Sequence, residues 1–316
     1  MAAPAGYFDY PHRRPGLDHD LFDMRYLKDA PPLAWPGGKS IALFVTLGLD
    51  WFPLDMPAKP FVPTGGLARA YPDIWNYSTR DYGNRIGIYR ILQVCAAQGV
   101  RTTAFVQGEI ARRYPLMVRD LMQAGHEIAA GGLDMGHLHA GPLDADVERG
   151  YITATLEALG QVTGTRARGW HSPAFSQSQR TPELLAEAGI DYAGDWVNDD
   201  MPFAMRTPAG PLIAMPYQFE RSDMRIMFEQ NQSIEQFERQ IMAAFEVLKA
   251  EASPACGRIM SLSLSPWVIG QPYRIRGLAR LLAKMMADPA VWSATGTDIL
   301  AAIKLAAQSN PSEAAE

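Results

Sequence analysis

From Ser40 to Ala307 the chain alternates short apolar runs of strand type with longer stretches of helical periodicity, and this rhythm limits its fold more tightly than any other feature. Ser40-Ile41-Ala42-Leu43-Phe44-Val45-Thr46-Leu47 is a nearly unbroken apolar run, as expected of a parallel strand buried on both faces. Further strands are predicted at Thr102 to Gln107, His126 to Ala130, Ala167 to His171, Ile190 to Trp196, Leu212 to Tyr217, Arg258 to Ser265 and Val291 to Ala294. Helices are expected between them: one carrying Ile86, Ile88, Ile91 and Leu92 up to Gly99, then Glu109 to Ala124 with a break at Pro115, Asp144 to Thr163, Thr181 to Ala188 with Thr181 as cap, Ile234 to Ala250, Ile275 to Met286, and Ile299 to Ala307. Seven or eight strands in this alternation imply an α/β chain folded as one closed or nearly closed barrel. No internal repeat or linker divides it.

Residues 1–38 carry six prolines among aromatic side chains, so they are expected to form an irregular arm packed on the barrel of residues 39–307. Residues 308–316 should fray. A formal net charge of -5 offers no basic face for nucleic acid or for an anionic membrane. The two cysteines exclude a disulfide framework, and Cys95 falls on the apolar side of its helix. With no apolar leader and no membrane-length run, the expected location is the cytoplasm.

In open and closed α/β sheets the chemistry sits where strands empty into loops at their C-terminal ends. Asp50 ends the first strand and should point into that mouth. The segment Gly125 to Ala140 holds His126, His137 and His139, and within it Asp134, His137 and His139 are ligand types crowded into six residues. His171 ends another strand in G-W-H-S-P-A-F and could pair with Asp50 as acid and base, since imidazole titrates near neutrality. Arg85, in R-D-Y-G-N-R, could clamp a planar amide or imide, or simply pair with Asp81. Asp195 is a candidate for substrate binding, and Trp51, Trp170, Trp196 and Trp267 at strand ends should give an aromatic mouth. Pro53 to Tyr77 reads as a long ordered excursion that roofs the site.

The stretches W-P-G-G-K-S-I-A-L (35–43), R-D-Y-G-N-R-I-G-I-Y-R-I-L (80–92), A-G-H-E-I-A (124–129), T-P-E-L-L-A-E-A-G-I-D-Y (181–192), D-W-V-N-D-D-M-P (195–202) and P-W-V-I-G-Q-P-Y-R-I-R (266–276) resemble the polysaccharide deacetylase (NodB-homology) superfamily. Within it, the chain is similar to the branch of cofactor-independent allantoinases and cyclic imide hydrolases, over roughly Tyr26 to Ile303. The resemblance implies a distorted (β/α)7-type barrel that hydrolyses amide-type C–N bonds. Metal-dependent members use an acidic first motif, an H-x-x-x-H second motif and a late histidine. In this chain the acidic position falls on Asp50, while the three histidine positions fall on Gly131, Met135 and Ser265. That set is broken as a zinc or manganese site, so no cofactor is expected unless His137 and His139 swing in beside Asp50.

The expected function is hydrolysis of a non-peptide C–N bond in a small amide, cyclic imide or ureide, without a metal, with Asp50, His171 and Ser265 converging in one pocket. The alternative is a diverged barrel that has lost hydrolysis and binds a small ligand, or that catalyses another proton transfer or C–C cleavage. The expected partner is a small molecule, with no nucleic acid or membrane. By resemblance, the protein should be a homo-oligomer.

Overall fold

The computed structural model describes residues 19–56, 72–140 and 143–309. Its elements in chain order are β1 (Ile41–Leu49), α1 (Ile74–Tyr82), α2 (Ile88–Gln98), β2 (Thr102–Val106), α3 (Gly108–Arg113), α4 (Pro115–Gln123), β3 (Glu127–Ala130), α5 (Ala145–Thr163), β4 (Gly169–Trp170), α6 (Thr181–Glu187), β5 (Tyr192–Ala193), β6 (Phe203–Met205), β7 (Leu212–Ala214), α7 (Ile234–Glu251), β8 (Arg258–Leu264), α8 (Pro266–Ile269), α9 (Ile275–Met286), β9 (Val291–Ser293) and α10 (Gly296–Ser309). The sheet runs β6-β7-β5-β4-β3-β2-β1-β8, parallel throughout except for the β6–β7 pair. One edge of β1 pairs with β8 over seven residues. Its other edge is shared, with β9 on Ile41 to Leu43 and β2 on Val45 to Leu49.

The result is a distorted (β/α) barrel whose sheet curls but does not close by strand pairing among the described residues, where the sequence left closure open. A segment after β7 spans the gap between β7 and β8. There Ser222 bridges Ser263, and the Arg221 guanidinium donates to the Ser261 carbonyl at 3.3 Å. β6 was not foreseen in the sequence, because three residues carry too short a pattern to be read.

Strand alternation sorts the core into two layers. On β1, Ile41, Leu43, Val45, Leu47 and Leu49 pack outward against the helices, in a cluster with Ile91, Leu159, Phe245 and Leu281. Ala42 and Phe44 face the barrel interior with Phe105, Tyr192 and Met215. The interior is so narrow at Tyr192 that a Cβ on Gly169 would come within 2.1 Å of its ring, so only glycine fits there. Tyr192 donates to Glu127 at 2.9 Å, and the same carboxylate also accepts from Thr103 and Thr297.

Several local expectations need correction. The Pro53 to Tyr77 excursion ends earlier than expected, because α1 starts at Ile74 with Asp73 accepting the Asn76 N–H as its cap. Residues 57–71 of that excursion lie outside the described residues. Between α1 and α2 the helix continues through a wider turn at Gly83–Gly87, where the Ile88 N–H reaches the Gly83 carbonyl. Thr181 is the first helical residue and not the cap, since its hydroxyl is committed to Glu148 at 2.5 Å. The described part of the arm packs on the barrel through buried Leu21 and Trp35, and Trp35 donates to the Arg258 carbonyl at 3.0 Å. Residues 1–18 and 310–316 lie outside the described residues. No helix among the described residues is long and apolar enough to cross a membrane.

Candidate active site

The inward parity that places Ala42 and Phe44 in the interior continues up β1 through Thr46 and Gly48 to Asp50. β8 carries Ile259, Ser261, Ser263 and Ser265 on the same inward register, and Thr46 donates to the Ser263 hydroxyl at 3.1 Å. Phe105 and Gln107 on and after β2, Gly131 after β3, His171 after β4 and Tyr217 after β7 hold the corresponding positions. Most of these inward residues meet at the strand C-termini, in a cleft enclosing about 660 Å³ of non-protein space, part of it open to solvent. Its lining includes Asp50, His171 and Ser265, the three residues singled out in the sequence, together with Gly131, Met135, Phe175, Tyr217 and Phe219. Its lining of aromatic rings with a few convergent polar groups is of the kind that binds small molecules.

Burial pushes the Asp50 carboxyl above the usual carboxylate range, while the positive charges of Arg80 and His171 oppose it. Arg80 is 3% exposed, with its guanidinium over the Phe52 and Trp267 rings at 4.4 and 4.1 Å. Its pKa is lowered to about 10 by burial, against the carboxylates of Asp50 and Asp73. Asn84 donates to the Asp50 carbonyl at 3.1 Å, so α1 and the wide turn after it hold the end of β1.

The His171 ring stacks on Tyr217, with centroids 4.4 Å apart and planes 10° from parallel, and Phe175 meets it edge-on at 4.5 Å. Behind the ring, Nδ1 lies 2.9 Å from Asp195 Oδ1, off the straight line of an ideal hydrogen bond. Ala174 and Phe175, next in chain, both take positive φ of 56°, a conformation costly for residues with a Cβ and common near functional sites.

Sequence reasoning missed Asp223. It is fully buried, and both of its oxygens accept the Ser265 backbone N–H, at 3.0 and 2.9 Å. Burial pushes its carboxyl up to about 7, against the hydrogen bonds from Ser265 and Met224. A polar residue between the β7 extension and a helical turn gives no pattern of its own in the sequence.

Other expected site residues lie elsewhere. Arg85 is exposed and pairs with Asp81 at 3.3 Å, and the buried arginine beside Asp50 is Arg80. None of the four tryptophans lines the cleft. Trp51 packs on Tyr77 under the Arg113 guanidinium, Trp170 is fully buried on the outward face of β4, Trp196 meets Phe22 of the arm, and Trp267 covers Arg80. Phe105, Phe175, Tyr217 and Phe219 supply the aromatic wall instead. Asp195 does not line the cleft; its carboxylate is buried behind His171.

The alternative ligand set of Asp50, His137 and His139 is not assembled. His139 is fully buried, with Nδ1 3.1 Å from Glu148, and His137 pairs with Asp134 at 2.7 Å. Glu148 also accepts from Ser178 at 2.6 Å, so His139 belongs to a structural network under α6. Among the described residues no three His, Cys, Asp or Glu side chains come together in a way that could hold a metal ion. In the cleft, the Met135 sulfur accepts the Gln107 side-chain N–H at 3.1 Å, and a thioether is a poor ligand for hard or borderline ions. The donor set around Asp50 therefore does not fit a catalytic zinc or manganese site, which needs about three protein ligands.

Residues 71–193 match the family model described as polysaccharide deacetylase. Over that stretch the chain is similar to the polysaccharide deacetylase family. Its fold is similar to that of a solved "probable polysaccharide deacetylase" from Pseudomonas aeruginosa, with a TM-score of 0.77 and 26% identity over 89% of this chain and 97% of that one. It is equally similar to the solved Puue allantoinase, with a TM-score of 0.77 and 26% identity over 90% and 97% of the two chains. A Schizosaccharomyces pombe protein named "Putative polysaccharide deacetylase" is 23% identical over 279 residues, covering 83% of this chain and 85% of that protein. Deacetylases and allantoinases are both hydrolases of C–N bonds, and that broad chemistry is what these likenesses have in common.

Proposed function

We propose that this protein hydrolyses a non-peptide C–N bond in a small amide, cyclic imide or ureide, without a metal ion, using Asp50 and His171 as its proton carriers. The observation that carries this reading is the convergence of Asp50, His171 and Ser265 in one small cleft at the strand C-termini. A base works best when its pKa lies near the working pH, and burial moves Asp50 in that direction. Asp50 takes a proton from the attacking water, and His171 serves the departing nitrogen. The likeness to a solved allantoinase at 26% identity supports a small cyclic substrate, and the equal likeness to a probable polysaccharide deacetylase makes a polymer the competing class. A cyclic imide also needs less electrophilic help than an acetamide, which agrees with a cleft whose donors do not suit a metal.

The test is a panel of succinimide, allantoin and N-acetylglucosamine oligomers, assayed with and without chelator. Turnover of a small cyclic substrate that survives chelation is expected, and Asp50→Asn should remove most of it. Activity confined to the oligomers, or lost with one bound zinc or manganese per chain, would refute the reading. Binding of a panel member without turnover favours the ligand-binding alternative.

A further inference from the structure

The carboxylate of Asp195 is buried, collects three hydrogen bonds from one side of the cleft and lies beside the His171 ring nitrogen. It accepts the Ser172 N–H at 2.7 Å, the Ser172 hydroxyl at 2.8 Å and the Gln177 side-chain N–H at 2.7 Å, and His171 Nδ1 lies 2.9 Å away. Burial would raise its pKa, but these partners, His171 first, hold it below the usual carboxylate value. The carboxylate is itself fixed. Trp170 on β4 donates to the Ser172 hydroxyl at 2.8 Å, and Trp196 donates to Gln177 at 3.1 Å. Tyr217 stacked on one face and Phe175 at the edge leave the imidazole little freedom to rotate.

We infer that Asp195 is a positioning residue that holds His171 with Nδ1–H toward its own carboxylate and Nε2 toward the cleft. The inference rests on the proposed hydrolysis for its chemical consequence. Water oxygen bonds to the carbonyl carbon as one water proton passes to Asp50. The C–N bond then breaks with its electron pair on nitrogen, and the proton on Nε2 of the imidazolium goes to that nitrogen. His171 is left neutral with its remaining proton on Nδ1, facing Asp195. The product acid ionises to solvent, and the proton on Asp50 returns through solvent to Nε2. A buried carboxylate at Nδ1 disfavours the neutral tautomer that would face the cleft with Nε2–H. Among the described residues, the titratable groups facing His171 are Asp50 from β1, Asp195 after β5 and Tyr217 after β7.

The test uses the full chain labelled with ¹⁵N-histidine, with the His171 signals assigned through His171→Gln. Long-range ¹H–¹⁵N spectra above neutral pH should show the proton on Nδ1 in the wild type and a loss of that preference in Asp195→Asn. Gln177→Ala, which removes one partner of the carboxylate and keeps its charge, should shift the balance less and in the same direction. On a turned-over substrate, Asp195→Asn should lower kcat by roughly tenfold or more with KM little changed. A wild-type proton on Nε2, or a tautomer indifferent to both substitutions, overturns the inference. If no panel member is hydrolysed, the spectra still decide the role of Asp195, so the two readings fail separately.

Discussion

The buried Asp223 carboxyl gives a stability test whose sign can be worked out in advance. Its folded pKa is about 7 against an ordinary value of 3.8, so the folded chain holds a proton that the unfolded chain has released between those limits. The favourable contribution is complete below the lower limit. It then falls by about 1.4 kcal/mol per pH unit and is gone once pH passes the folded value. Between pH 5 and 8 the loss covers about two units, or on the order of 3 kcal/mol. Asp223→Asn keeps an acceptor for the Ser265 N–H and cannot ionise, so it removes this slope. The other titrating groups are common to both proteins and cancel in the difference. With about 2 °C of melting temperature per kcal/mol for a chain of this size, the variant should gain on the wild type by about 5 °C between pH 5 and pH 8. Differential scanning calorimetry at half-unit steps reads this directly. Two parallel curves would show that Asp223 is ionised across the range, and the account of its burial would be wrong.

The two arginines near the start of the cleft should separate cleanly. Arg85→Ala, at an exposed pair, should change stability by no more than about 0.5 kcal/mol and leave turnover intact, whereas Arg80→Ala should cost roughly 3 to 5 kcal/mol and impair turnover by leaving Asp50 without its buried counter-charge. Thermal melts and initial rates on the two variants check this, and equal effects would refute the placement. His139→Ala should destabilise by roughly 2 to 4 kcal/mol through the Glu148 network and His137→Ala by less than about 1, with metal content unchanged in both. Melts together with elemental analysis would show otherwise if these histidines were ligands.

Much of the fold was legible because a buried parallel strand writes itself as a continuous apolar run, and β1 and β8 do so clearly. The same continuity hides which way each residue points. In β1 the inward set of Ala42, Phe44, Thr46, Gly48 and Asp50 becomes visible only when counted in twos from Asp50, and S-L-S-L-S at 261–265 gives the matching count on β8. That count places Asp50, His171 and Ser265 inward and turns Trp170 outward. Trp170 failed as a cleft residue for this reason, and Asp195 ended behind His171 instead of beside a substrate. Arg80 and Asp223 were illegible for a different reason. Each is set by where a turn of helix lies against the barrel, which no local spacing records. β4 and β5 are only two residues long, so their registers depend on tertiary contacts such as Gly169 against Tyr192.

The three positions where the resemblance to metal-dependent deacetylases leads one to expect imidazoles, Gly131, Met135 and Ser265, are each woven into local bonding in this chain. A Cβ at Gly131 would meet the Phe105, Val106 and Gln107 backbone at 3.1 to 3.2 Å, so any side chain there requires β2 to give way by a few tenths of an ångström. Met135 receives the Gln107 side-chain N–H on its sulfur, and the oxygen of the same amide accepts the Trp51 N–H at 2.6 Å, tying the loop after β3 to the end of β1. Ser265 is gripped through its backbone by Asp223, whose burial depends on the segment bridging β7 and β8. Histidine at 131 and 135 would therefore have to move β2 and release Gln107 from the Met135 sulfur, whereas histidine at 265 would keep the backbone N–H that Asp223 accepts. The cleft around Asp50 has its own consistent set of contacts, and a mechanism for it should begin from Asp50, His171 and their buried partners Arg80 and Asp195.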